Sequence, residues 1–228
     1  WGNMIHPTHE HACCSNDTRF ISAGGSWTGA GTGTGNMSQI YYCSLASAGN
    51  LFYFGDLTTD YSDDPAVCSN TTRAIIAGGH NASTTLLNNI QYITIATLGN
   101  ALNFGSLSRR RVCAAGCSSP TYGVISGGSN GGHEGQLPVL ALIEYVKIAT
   151  TGSAGNWGNL TVIRNDHASV SDHTYGIIAG GYNGGDVTGM DSMEYITFST
   201  IGNAATFGDL GSHKYGCAGT SNCHGGVT

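Results

Sequence analysis

An aromatic residue followed by glycine, a polar residue and an aliphatic one recurs five times along this chain. The copies are Trp1-Gly2-Asn3-Met4, Phe54-Gly55-Asp56-Leu57, Phe104-Gly105-Ser106-Leu107, Trp157-Gly158-Asn159-Leu160 and Phe207-Gly208-Asp209-Leu210. Successive copies lie about 50 residues apart, and a period of that size sets the architecture before any local reading does. Two further markers keep step with it. An apolar run closes on Gly24-Gly25, Gly78-Gly79, Gly127-Gly128 and Gly180-Gly181. After each pair comes Ile40-Tyr41-Tyr42, Ile90-Gln91-Tyr92, Ile143-Glu144-Tyr145 or Met193-Glu194-Tyr195. The order of the three markers never changes.

Each period reads as four short strands. In the third full unit the expected strands are Arg109 to Cys117, Tyr122 to Ser126, Leu140 to Ala149 and Asn156 to Leu160. Ser118-Ser119-Pro120 turns the chain between the first two, because Ser bonds locally and Pro fixes φ. The Gly pair stops the second strand, where positive φ or close backbone approach is allowed. Third strands alternate, as in Ile90-Gln91-Tyr92-Ile93-Thr94-Ile95, which is the strand signal. Four-stranded units at this period predict an all-β propeller. The expected units are residues 5–57, 58–107, 108–160 and 161–210, with a partial fifth over 211–228, in one domain over 1–228.

These units resemble the kelch repeat family. The resemblance rests on the Gly-Gly pair, the third-strand Tyr and the fourth-strand aromatic, which is Trp at Trp1 and Trp157 but Phe in the other copies. The units are also similar in style to kelch-like repeats of phage tail-fibre and microbial surface proteins. The resemblance implies that each first strand lines the central axis. Cys14, Cys68 and Cys117 occupy equivalent first-strand positions and would then lie beside that axis.

Trp1 falls in a fourth-strand motif, and Val227-Thr228 in a second strand. No third strand is available to complete the last blade, so the propeller is expected to be open or completed by another chain. An unpaired sheet edge invites pairing, and self-association is the partner expectation.

Charged residues make up 10% of the chain, and its formal net charge is −6. So few cations make a poor nucleic-acid binder. The run Arg109-Arg110-Arg111 is read as a solvated edge. No apolar run reaches a membrane span. The eight cysteines leave two readings open. They are buried free thiols, or they form disulfides among Cys13, Cys14, Cys68, Cys113, Cys117, Cys217 and Cys223. Sequons stand at Asn16, Asn36, Asn70, Asn81 and Asn159, in loops suited to glycans. Cysteines and sequons together point to an extracellular, cell-surface or virion-surface location. On a continuous strand, His9, His11 and Cys13 would share a face, and their donors suit zinc or copper. Their spacing matches no zinc motif, so they are weak metal candidates.

No catalytic constellation is legible. Asp63-Asp64 is isolated, Gly31 to Gly35 opens no helix, and no cofactor is implied. The function expected is a non-enzymatic structural subunit of a fibre, filament or surface appendage. The alternative is carbohydrate or host recognition through the loops between second and third strands, since loops on rigid scaffolds carry recognition.

Overall fold

The computed structural model describes residues 2–29, 33–59, 64–81, 85–131, 138–184 and 188–219, and no helix occurs among them. The first unit holds β1 (Thr8–His9), β2 (Ala12–Ser15), β3 (Arg19–Ala23), β4 (Ser26–Gly29), β5 (Gly33–Asn36), β6 (Gln39–Ser44) and β7 (Phe52–Asp56). The second holds β8 (Ala66–Ser69), β9 (Arg73–Ala77), β10 (Asn89–Thr94) and β11 (Leu102–Ser106). The third holds β12 (Ala115–Ser118), β13 (Tyr122–Ser126), β14 (Leu142–Lys147) and β15 (Gly155–Asn159). The fourth holds β16 (Ala168–Ser171), β17 (Tyr175–Ala179), β18 (Met190–Thr197) and β19 (Ala205–Lys214).

These strands form four antiparallel four-stranded sheets, β2-β3-β6-β7, β8-β9-β10-β11, β12-β13-β14-β15 and β16-β17-β18-β19. A small extra sheet, β1-β4-β5, sits on the first unit. Hydrophobic clusters lie between consecutive sheets. Phe54 and Ile40 of the first pack with Ile76, Ile93 and Ile95 of the second, and Trp157 of the third packs with Ile196 and Phe198 of the fourth. Burial between successive meandering sheets makes the fold propeller-like, with four four-stranded blades among the described residues.

The aromatic-glycine motif acts through a bulge. Ile143 pairs with Gly158 and Glu144 with Asn156, so Trp157 is the residue left over. Phe54, Phe104 and Phe207 are skipped in the same way. A bulge re-aims its side chain, and here the extra residue meets the third-strand tyrosine edge-on. Centroid separations are 5.9 Å for Phe54–Tyr42, 5.8 Å for Phe104–Tyr92 and 5.5 Å for Trp157–Tyr145. The glycine then receives the next unit. A Cβ on Gly55 would stand 2.2 Å from the Gly99 carbonyl oxygen, and one on Gly105 would stand 2.3 Å from that of Gly152. Those turns bond back, Gly99 N–H to the Phe54 carbonyl (3.0 Å) and Gly152 N–H to that of Phe104 (2.8 Å). The outer strands β7 and β11 are thereby covered by a loop of the next unit, one way of protecting a sheet edge.

The Gly-Gly marker has a similar use. Gly79 and Gly128 donate to the carbonyls of Arg111 and Arg164, each at the start of the following unit, and Gly181 donates to that of Lys214 at the end of β19.

First strands are shorter than expected. The third begins at Ala115 rather than Arg109, because Cys113 takes φ 55° and breaks extension. Arg111 also departs from the solvated-edge reading. It is fully buried and ion-paired to Glu144, while Arg109 and Arg110 are exposed.

Candidate functional site

The position four residues before Cys14, Cys68, Cys117 and Val170 has positive φ in every unit: Glu10 at 58°, Asp64 at 47°, Cys113 at 55° and Asp166 at 51°, followed by Gly216 at 59°. Non-glycine residues seldom adopt this conformation. A chain of backbone hydrogen bonds links the five. Asp64 N–H donates to the Glu10 carbonyl (3.0 Å), Cys113 to Asp64 (3.3 Å), Asp166 to Cys113 (3.0 Å) and Gly216 to Asp166 (2.9 Å). The left-handed kink turns each N–H toward the preceding unit instead of along its own sheet. The belt lines a cavity of about 430 Å³, with His11 and His167 in its lining beside Glu10, Asp64, Asp166 and Cys113.

His167 is 5% exposed and sits 3.0 Å by Nε2 from the Ser126 hydroxyl. That hydroxyl donates in turn to the Ala115 carbonyl (3.4 Å). The other ring nitrogen, Nδ1, is buried and makes no hydrogen bond. Burial, with Arg164 nearby, pulls the imidazole pKa down to about 3. Burial, with His9 nearby, lowers that of His11.

One step along the first strands lies a narrow channel of about 60 Å³, lined by Cys14, Cys68, Cys117, Val170, Gly116 and Ser169 among others. Serines stitch it together. Ser69, Ser118 and Ser171 donate by their hydroxyls to the carbonyls of Ser15 (2.8 Å), Ser69 (2.7 Å) and Ser118 (2.8 Å). The thiols of Cys68 and Cys117 fill space left by a glycine of the next unit: a Cβ on Gly123 would lie 2.7 Å from Cys68 Sγ, and one on Gly176 would lie 2.8 Å from Cys117 Sγ. Burial raises the Cys68 pKa and pushes that of Cys117 up to about 12.

All seven described cysteines, Cys13, Cys14, Cys43, Cys68, Cys113, Cys117 and Cys217, are free thiols. The disulfide reading is corrected for the candidates among them, and Cys223 lies outside the described residues. The shared face of His9, His11 and Cys13 is also corrected. Glu10 at positive φ interrupts the strand, leaving His9 in β1 and Cys13 in β2, with His11 at the axial cavity. No group of three or more His, Cys, Asp or Glu side chains able to hold a metal ion occurs among the described residues.

The sequon asparagines differ among themselves. Asn70 is buried at 8% exposure, its Nδ2 bonded to the Pro120 carbonyl (2.9 Å) and its Oδ1 accepting from Thr72 and Arg73 N–H. Such an amide has no room for a glycan, and that candidate is withdrawn. Asn16 makes the same turn, with Nδ2 on the Thr71 carbonyl (2.8 Å). The Asn81 side chain accepts from Thr85 N–H, and Asn159 is exposed. The Asn36 side chain lies outside the described residues. No helix long and apolar enough to cross a membrane occurs among those described.

Sequence reasoning missed two buried ion pairs, Arg111–Glu144 and Arg164–Glu194. Each arginine also donates to carbonyls at the blade top, Arg111 to Gly127 (3.1 Å) and Arg164 to Gly180 (2.9 Å) and Ser192 (3.0 Å). The glutamates also accept the Ser108 and Thr161 N–H groups, where one unit passes to the next. A signal was present: Arg occurs four residues after the motif leucine only in the two units whose third strand carries Ile/Met-Glu-Tyr.

No protein-family model and no curated protein matches the chain. Its fold is shared more widely: 216 chains of solved structures are similar. One is the structure of YjhT, at TM-score 0.75 and 8% sequence identity, covering 94% of this chain and 74% of that one. At that identity the likeness speaks to the fold alone.

Proposed function

We propose that this protein is a non-enzymatic structural subunit on the outside of a cell or virion, built of kelch-like units and assembling with further copies of itself. One contrast carries the reading. Phe54, Phe104 and Trp157 are 3%, 3% and 2% exposed, whereas Phe207, at the same motif position, is 56% exposed. In the third unit the ladder Tyr122–Tyr145–Trp157 is covered by Phe198 of the fourth, 6.2 Å from Trp157. The fourth unit has the same ladder, Tyr175–Tyr195–Phe207, with Tyr175 45% exposed. Each earlier face accepts another unit of this repeat, so a further unit is the occupant that fits, and self-association has a second copy supply it. Burying aromatic surface is a strong drive for association.

The coat of Ser, Thr, Asn and Gly with few charges fits an exterior setting. Asn159 is the sequon we propose for glycosylation, because it is exposed. Recognition through the second-to-third-strand loops rests on segments that lie partly outside the described residues.

Light scattering across a concentration series tests the reading. Mass should rise with concentration, and Phe207→Lys should suppress the rise. A constant monomer mass, or association untouched by Phe207→Lys, would exclude this face as the contact.

A further inference from the structure

We propose that the unit covering the Tyr175–Tyr195–Phe207 ladder is the partner's own fourth unit, so that two copies pair face to face about a two-fold axis. The inference rests on the assembly reading and names the surface of the second copy that serves it.

The second and third units are packed on both sides. The three large clusters join first unit to second, second to third and third to fourth. Besides the ladder, that leaves the face the first unit turns away from the second. Three observations bar a fourth unit from it.

A large residue stands where the repeat keeps a small one. Phe20 pairs with Ser15 and Cys43. The same place holds Ala74 beside Ser69 and Ile93, Gly123 beside Ser118 and Val146, and Gly176 beside Ser171 and Ile196. Gly123 and Gly176 make room there for the Cys68 and Cys117 thiols of the unit before. Val170 holds the thiol position in the fourth unit. A phenyl ring facing it would overpack the contact.

The face also covers itself. Met37, Tyr41 and Leu51 are buried, with Phe20 and Cys43 packed on them, in a cluster drawn from the first unit alone. Tyr41 replaces Gln91, Glu144 and Glu194, which accept the N–H groups of Thr58, Ser108 and Thr161. Stacked arrays end on atypical units of this kind.

Finally, the outer-strand place is filled. A Cβ on Gly2 would lie 2.2 Å from the Gly49 carbonyl oxygen, as one on Gly55 would from that of Gly99. Leu51 N–H donates to the Asn3 carbonyl (3.2 Å), as Ala101 does to that of Asp56 (2.8 Å). Gly208 and Asp209 of another copy would need the place Gly2 and Asn3 hold.

The surface left to meet the ladder is the same ladder on a second copy. A patch that meets itself makes an isologous contact, which closes at two copies instead of propagating. Its three rings carry no charge, and aromatic rings pack well edge to face.

Sedimentation velocity of the full chain over a concentration series tests the pairing. Mass should level off at two copies, and Tyr175→Lys or Phe207→Lys should return it to one. A benzophenone side chain in place of Phe207 should cross-link to β17, β18 or β19 of the partner. Cross-links to β3 or to residues 43–51 overturn the proposal, and so does mass that climbs past two copies. Both of those outcomes leave the assembly reading standing. Mass that stays at one copy refutes that reading and the pairing with it. If the lysine variants melt early by circular dichroism, the cross-link map still decides.

Discussion

The thiol of Cys68 occupies the space that Gly123 of the next unit leaves empty, so that a Cβ on Gly123 would lie 2.7 Å from Cys68 Sγ. Both residues belong to inner strands, β8 and β13, and both are part of one interface between blades. Gly123→Ala should therefore destabilise by about 1–3 kcal/mol, the usual cost of overpacking. Cys68→Ala should restore much of that loss in the double variant, because residues in contact couple. Urea unfolding of the four proteins measures it; strictly additive effects would show that the two do not share the space.

The Arg111–Glu144 pair is buried on both sides. Removing one partner strands the other, and Arg111→Met should cost about 3–5 kcal/mol. Arg111→Met combined with Glu144→Leu should be less destabilising than Arg111→Met alone, since no buried charge is left unpaired. Chemical denaturation of both variants gives the comparison.

Thiol labelling separates the cysteines. Cys68 and Cys117 are buried, with pKa values raised by burial, and the thiolate is the reactive form. Both should resist iodoacetamide at pH 8 in the native protein and react after unfolding without reductant. Mass spectrometry that finds either one oxidised to a disulfide would contradict the free-thiol arrangement.

His167 makes stability depend on acid. Its folded pKa is lowered from 6.5 to about 3, so the unfolded chain takes up a proton between those values that the folded chain refuses. Stability is complete above pH 6.5 and falls as pH drops toward 3, by at most about 1.4 kcal/mol per pH unit from this residue. His167→Asn should flatten that slope in unfolding measured from pH 7 to pH 4.

The architecture was legible because repeated geometry leaves repeated residues. The aromatic, its glycine and the third-strand tyrosine recur together since one bulge brings them into contact, and glycine is the only residue that admits the neighbour's turn at Gly55 or Gly105. The axial belt was hidden for the opposite reason. Its five positions hold Glu10, Asp64, Cys113, Asp166 and Gly216, which share a backbone conformation and no single residue type. A bond between main-chain groups places no demand on side-chain identity, so no motif records it. Glu10 shows the consequence: on sequence, His9, His11 and Cys13 read as one strand face, and one left-handed residue between them disperses the set. Arg111 was obscured by Arg109 and Arg110, whose exposure is what a basic run leads one to expect.

Electron microscopy of the purified protein, at a resolution that places side chains, tests the assembly claim most directly. Ordered oligomers or polymers should form, with a neighbouring copy covering Tyr175, Tyr195 and Phe207. Monodisperse single copies, or assemblies that leave Phe207 in solvent, would contradict it.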